Sequence, residues 1–189
     1  MRIYIHQLFK KLIKKSSHSF SFSSFLLFFL FLPGCVNTSP PPQIKKGPFK
    51  VAQIKIPSGD FLRIKLAINL EEQVRGLSGI RGHQFNKNEG LLFFYLKTNI
   101  RKFWMPNTFF PLDIFYLDKK MKVLDIVRNL PFHPGYNEPP PIPRARPVIS
   151  RHVLEMRSDS PFSKRIKKGD QLEFISQFSL SEIESKIRL

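Results

Sequence analysis

Apolar and polar residues alternate over two neighbouring stretches, 49–56 and 61–68. A period of two puts every second side chain on one face, so each stretch reads as a half-buried strand. Pro57-Ser58-Gly59-Asp60 between them is turn chemistry, which predicts a hairpin with Leu62, Ile64, Leu66 and Ile68 on its buried face. Residues 91–96 and 112–117 are instead continuously apolar, the pattern of strands covered on both faces, and belong at the centre of a sheet. Further strands are predicted at 122–130, 149–157 and 171–178. Residues 131–147 carry seven prolines, which cannot donate ladder hydrogen bonds, and predict a surface loop. Asn69 followed by Glu72 has capping-box spacing and opens a short helix through Val74 and Leu77, ended by Gly76 or Gly79. A second box, Ser181 with Glu184, and an Ile183/Ile187 pair predict a short docked helix at the tail. About seven strands and one or two short helices give a mostly β, β-rich α+β domain, compact and barrel-like or sandwich-like.

The first 47 residues do not share this patterning. Lys10, Lys11, Lys14 and Lys15 precede a Phe-, Leu- and Ser-rich run from Phe20 to Leu32, closed by Leu32-Pro33-Gly34-Cys35. Basic region, apolar region and small residue before a cleavage point is the order of a secretory signal. Its apolar core, 25–32, is shorter than the roughly 20 residues a membrane span needs. Leu-x-Gly-Cys resembles the bacterial lipobox, with Pro33 a departure from the usual small residue. Cys35 is the only cysteine, so no internal disulfide is available, and acylation at a new N-terminus accounts for it better than burial. Residues 36–47, with Pro40-Pro41-Pro42, read as a stiff spacer. The expected organisation is a signal peptide at 1–34, a lipidated N-terminus and spacer at 35–47, and one domain at 48–189. The expected location is the outside of a bacterial membrane, held by a lipid anchor, in the outer membrane where the cell has one.

Phe103-Trp104-Met105-Pro106-Asn107-Thr108-Phe109-Phe110-Pro111-Leu112-Asp113 holds the chain's single tryptophan and sets an aspartate among apolar residues. With Asn88-Glu89-Gly90-Leu91-Leu92-Phe93, Val153-Leu154-Glu155-Met156 and Gly169-Asp170, it resembles the bacterial and archaeal family named domain of unknown function 192. The resemblance spans about Leu66 to Leu172 and implies no settled activity.

Asp113 shares a strand face with Phe115 and Leu117, so its carboxylate requires hydrogen bonds or a cation. Two readings stand. It accepts bonds from the 105–108 turn and fixes that turn, or it transfers protons with a raised pKa. Trp104 is either part of the core wall, its indole N–H bonded to a carbonyl or to Asp113, or a platform for a sugar or acyl chain. Trp104, Asn107 and Asp113 are thus the ligand-binding candidates. Glu89 is either a second carboxylate beside Asp113 or an exposed turn residue. His83, His133 and His152 lack metal-ligand spacing, and no Gly-x-Ser-x-Gly, P-loop or dinucleotide motif is present, so no metal or cofactor is expected.

The chain carries a formal charge of +17. Removing Arg2, Lys10, Lys11, Lys14 and Lys15 leaves 26 basic against 14 acidic residues, about +12. Lys164, Arg165, Lys167 and Lys168 form the densest cluster, expected on an exposed turn with few acidic neighbours, and Arg144, Arg146 and Arg151 form another. Such faces attract anions or merely solubilise. Export makes the expected partner an anionic envelope component rather than nucleic acid. Two functions remain: a noncatalytic envelope binding module, or a hydrolase using Asp113 and Glu89 as acid and base.

Overall fold

The computed structural model describes residues 51–187. The basic stretch, the apolar run, Cys35, the spacer and the first two residues of the first predicted strand lie outside the described residues. The predicted hairpin is present as β1 (Val51–Lys55) and β2 (Phe61–Ala67), joined through Gly59 at φ 90°. The chain continues through α1 (Leu70–Arg75), a 3-10 turn at Gly82–Gln84, β3 (Glu89–Phe93), β4 (Asn99–Arg101), β5 (Leu112–Leu117) and β6 (Val123–Leu130). It ends with β7 (Val148–Ser150), β8 (His152–Arg157), α2 (Pro161–Arg165), β9 (Glu173–Ile175) and α3 (Leu180–Ile187).

Seven strands form one sheet in the order β6-β5-β8-β3-β2-β1-β9, with β2 and β3 parallel; β4 and β7 form a separate ribbon. Val123 N–H donates to the Asp170 carbonyl at 2.8 Å, and Gly169 N–H returns a bond to Val123 at 2.8 Å. These bonds draw the β6 edge toward the segment entering β9, so the sheet curls into a half-barrel. Its enclosed face carries Ile54, Leu62, Ile64, Leu66, Leu92, Phe115, Leu154 and Met156, all buried. The outer face is covered over β3, β8 and β5 by Leu77, Phe85, Phe103, Met105 and Phe110. Hence β1 and β2 alternate between exposed and buried while β3 and β5 are buried throughout.

The first helix has the predicted box: Asn69 Oδ1 accepts from Glu72 N–H at 2.9 Å, and Gly76 at φ 53° ends it. Elsewhere the sequence reading is corrected. The stretch 149–157 breaks at Arg151 into β7 and β8, and 171–178 contributes three strand residues. The tail helix starts earlier than predicted, because its box is Ser179 with Glu182, while Glu184 pairs with Arg151. The third helix, α2, begins at Ser160, whose Oγ accepts from Ser163 N–H, with Pro161 in the first turn. Among the described residues no helix is long and apolar enough to cross a membrane.

Candidate functional site

Asp113 is 2% exposed and lies on the enclosed face, opposite Met156 of β8. The β5–β6 pairing slips between Leu112 and Ile114, so Arg128 and Asn129 both face Asp113. This bulge lets the carboxylate meet side chain and backbone together. Arg128 Nη1 donates to Oδ2 at 2.7 Å, Ser163 Oγ donates to Oδ2 at 2.5 Å, and Asn129 N–H donates to Oδ1 at 2.7 Å. Arg128 also donates to the carbonyls of Ser163 at 2.9 Å and Ile166 at 2.5 Å, satisfying acceptors at the end of α2. The arrangement ties β5, β6 and α2 into one unit. Asp113 is fixed by charge and by backbone, as a buried carboxylate requires. The partners differ from those expected: they come from β6 and α2, not from the 105–108 turn.

Glu89 is buried at 4% exposure, not an exposed turn residue. It accepts from Asn86 N–H at 3.1 Å and pairs with Lys65 at 3.4 Å and Arg63 at 3.7 Å. Its parity on β3 matches Leu91 and Phe93 of the outer cluster, whereas Asp113 matches Phe115 and Leu117 of the enclosed one. The two carboxylates therefore lie on opposite faces of the sheet and share no cleft. They cannot flank one scissile bond as acid and base.

Trp104 and Asn107 sit elsewhere again. Residues 103–108 run between two limbs of the proline-rich loop: Met105 N–H donates to Pro143, Ala145 N–H to Phe103, Asn107 N–H to Gly135 and Thr108 N–H to His133. Trp104 is half-buried, bridges to Arg144, and lies under its guanidinium at 5.9 Å. It belongs to neither core cluster, so Trp104 is not the part of the core wall that one sequence reading made it. Asn107, at φ 51°, accepts from Gly79 N–H at 2.8 Å and reaches Tyr136 Oη at 3.4 Å. These contacts hold the loop to the domain.

The basic cluster is exposed, but acidic residues attend it. Arg165 pairs with Asp60 at 2.6 Å and Lys168 with Asp125 at 3.9 Å, which corrects the expectation of few acidic neighbours. The ammonium groups of Lys164 and Lys167 pair with no carboxylate among the described residues, although the Lys167 N–H donates to Asp170 Oδ2 at 2.8 Å. The second cluster is similarly occupied: Arg144 pairs with Glu138, Arg146 with Asp125 and Arg151 with Glu184. Lys164 borders a depression of about 370 Å³ whose other walls are Asp113, Arg128, Asn129 and Ser158. Here two sequence candidates, Asp113 and Lys164, do come together. Arg128 and Asn129 escaped the sequence reading because a bulge leaves no periodic signal, and Ser158 because it lies in the turn after β8. A larger concavity, about 660 Å³, lies between the β5–β6 turn and α3, and the carboxylate and aromatic candidates do not line it.

The histidines stay apart. His83 is exposed, while buried His133 donates from Nε2–H to the Asn137 carbonyl at 3.0 Å. His152 is fully buried, its Nδ1 accepting from Tyr95 N–H at 3.3 Å, and burial with help from Arg151 and Arg101 pushes its pKa down to about 3. Among the described residues no group of three His, Cys, Asp or Glu is placed to hold a metal.

The family model of DUF192, described as an uncharacterized ACR, matches residues 53–174, well over half of the chain. The chain belongs to the DUF192 family. No curated protein matches it. It is similar to the crystal structure of a candidate transcription regulator from Sinorhizobium meliloti 1021, at 26% identity and a TM-score of 0.50, covering 66% of this chain and 92% of that one. It is also similar to a protein of unknown function from Novosphingobium aromaticivorans DSM 12444, at 29% identity and a TM-score of 0.51, covering 65% and 83%. These two similar structures assign no reaction to the curled β-rich fold.

Proposed function

We propose that the protein is exported, acylated on Cys35, and works in the cell envelope as a noncatalytic module that binds an anionic component. The binding half of this reading is carried by the saturation of Asp113. Three donors occupy its carboxylate, and Glu89, the other candidate, is committed to two cations on the far face. A general acid or base needs an oxygen within reach of substrate, and neither residue presents one as an acid–base pair. The depression beside Asp113 is lined by Arg128, Asn129, Ser158 and Lys164, two of them cationic. The location half rests on the order of Lys10–Lys15, the apolar run and Leu32-Pro33-Gly34-Cys35. In cells making the full chain, Cys35→Ser is expected to abolish membrane retention and fatty-acid labelling together. Labelling that survives the substitution contradicts the anchor.

A further inference from the structure

We propose that the depression beside Asp113 is a phosphoryl-binding site, taking inorganic phosphate or a phosphomonoester carried by a larger envelope molecule. The inference rests on the reading of this domain as a binding module and is independent of acylation at Cys35. Four residues that carry donor groups line the depression beside Asp113: Arg128, Asn129, Ser158 and Lys164. The side chains of Asn129, Ser158 and Lys164 bond no other described residue. The Arg128 side chain is 40% exposed although its guanidinium is already pinned.

The carboxylates nearby are all engaged. Asp113 accepts from three donors, and Asp159 pairs with Arg157 at 2.8 Å and Lys87 at 3.2 Å. Two cations, an amide and a hydroxyl around one concavity suit a compact dianion, whose several acceptor oxygens use more of these donors than a carboxylate's two can.

The site is also held in place before any ligand arrives. Asn129 is a non-glycine residue at φ 50°, a conformation that costs energy unless its surroundings enforce it. The bond from its N–H to Asp113 Oδ1 supplies that enforcement and fixes Asn129 in the wall of the depression. The guanidinium is oriented by Asp113, Ser163 and Ile166. Donors fixed in advance lose little freedom on binding, which raises affinity for a small anion. Asp113 is thus a positioning residue, giving the bulge its shape and Arg128 its plane.

The test uses the purified full chain titrated calorimetrically with inorganic phosphate at low ionic strength. Saturable one-site binding is expected, with Kd on the order of millimolar for the free anion. Asn129→Gly keeps a backbone that tolerates positive φ and removes the amide; Lys164→Gln removes an exposed charge. Together they are expected to weaken binding by about tenfold or more, with the melting temperature unchanged. A second arm offers vesicles of phosphatidic acid, phosphatidylglycerol or phosphatidylcholine. Binding that is selective for phosphatidic acid and lost in the double variant assigns the phosphoryl group to a lipid; binding of phosphate without vesicles assigns it to a soluble source. Failure of both phosphate and phosphatidic acid to bind overturns the proposal. Anionic-vesicle binding that persists unchanged in the double variant also overturns this site, yet leaves the binding-module reading standing.

Discussion

Three donors on Asp113 make its removal expensive in a predictable way. Asp113→Ala removes the acceptor of the Asn129 N–H and of Ser163 Oγ and leaves Arg128, still bonded to the Ser163 and Ile166 carbonyls, without its counter-charge. Losing one partner of a buried pair costs roughly 3 to 5 kcal/mol, and the partial exposure of Arg128 places the expected loss near about 3. Denaturant unfolding measures it, and a loss below about 1 kcal/mol contradicts a structural role for the carboxylate. His152 acts in the opposite sense, because it is buried in its neutral form. The folded state refuses a proton down to about pH 3, whereas the unfolded chain accepts one near 6.5. Stability from this residue is therefore complete above about pH 6.5 and falls as pH drops toward 3, by at most about 1.4 kcal/mol per unit. His152→Asn keeps an acceptor where Nδ1 meets Tyr95 N–H. It is expected to flatten stability between about pH 6.5 and 4, and a slope equal to that of the wild type contradicts the assignment.

At the scale of elements, packing on the two faces of β3 sets the tolerance of its residues. A Cβ on Gly90 would lie 2.7 Å from Leu154 Cδ1 and 2.9 Å from Ile64 Cδ1, both in the enclosed core. Those methyls can turn aside in part, so Gly90→Ala is expected to cost about 1 to 2 kcal/mol by thermal unfolding, as moderate overpacking does. An unchanged melting temperature would mean that the core there is looser than described. Trp104→Ala should cost less than the roughly 3 to 5 kcal/mol of a core aromatic, about 2, because the ring is half-buried and belongs to neither core cluster. The elements set by periodicity were legible in the sequence: the β1–β2 hairpin, the doubly covered β3 and β5, and the Asn69 cap of α1. Those set by long-range contacts were not. Asp113 announced a need for partners, yet nothing local says that they sit 15 residues on, at Arg128, and 50 residues on, at Ser163. The α2 helix was hidden by its five-residue length, although Ser160-Pro161 is a start signal for it.

For the whole molecule, the half-barrel separates functions that the sequence places side by side. The Trp104 segment is bound within the proline-rich loop, Glu89 faces Lys65 outside the sheet, and Asp113 closes the enclosed face where β6 meets α2. The last borders a depression lined also by Arg128, Asn129, Ser158 and Lys164. The high positive charge is less free than its total suggests, since Arg144, Arg146, Arg151, Arg165 and Lys168 each pair with an acid. Attraction of the remaining exposed charges is screened beyond about 8 Å at physiological ionic strength, so anion binding should weaken as salt rises. The central claim is that ligand is met beside Asp113, by fixed donors rather than by catalytic carboxylates. The most direct measurement is a nuclear magnetic resonance titration of the full chain with inorganic phosphate, following side-chain amide, guanidinium and indole N–H signals. Shifts centred on the Asn129 amide and Arg128, with the Trp104 indole unmoved, are predicted. Shifts centred on Trp104 and the proline-rich loop, or none at saturating phosphate, would contradict it.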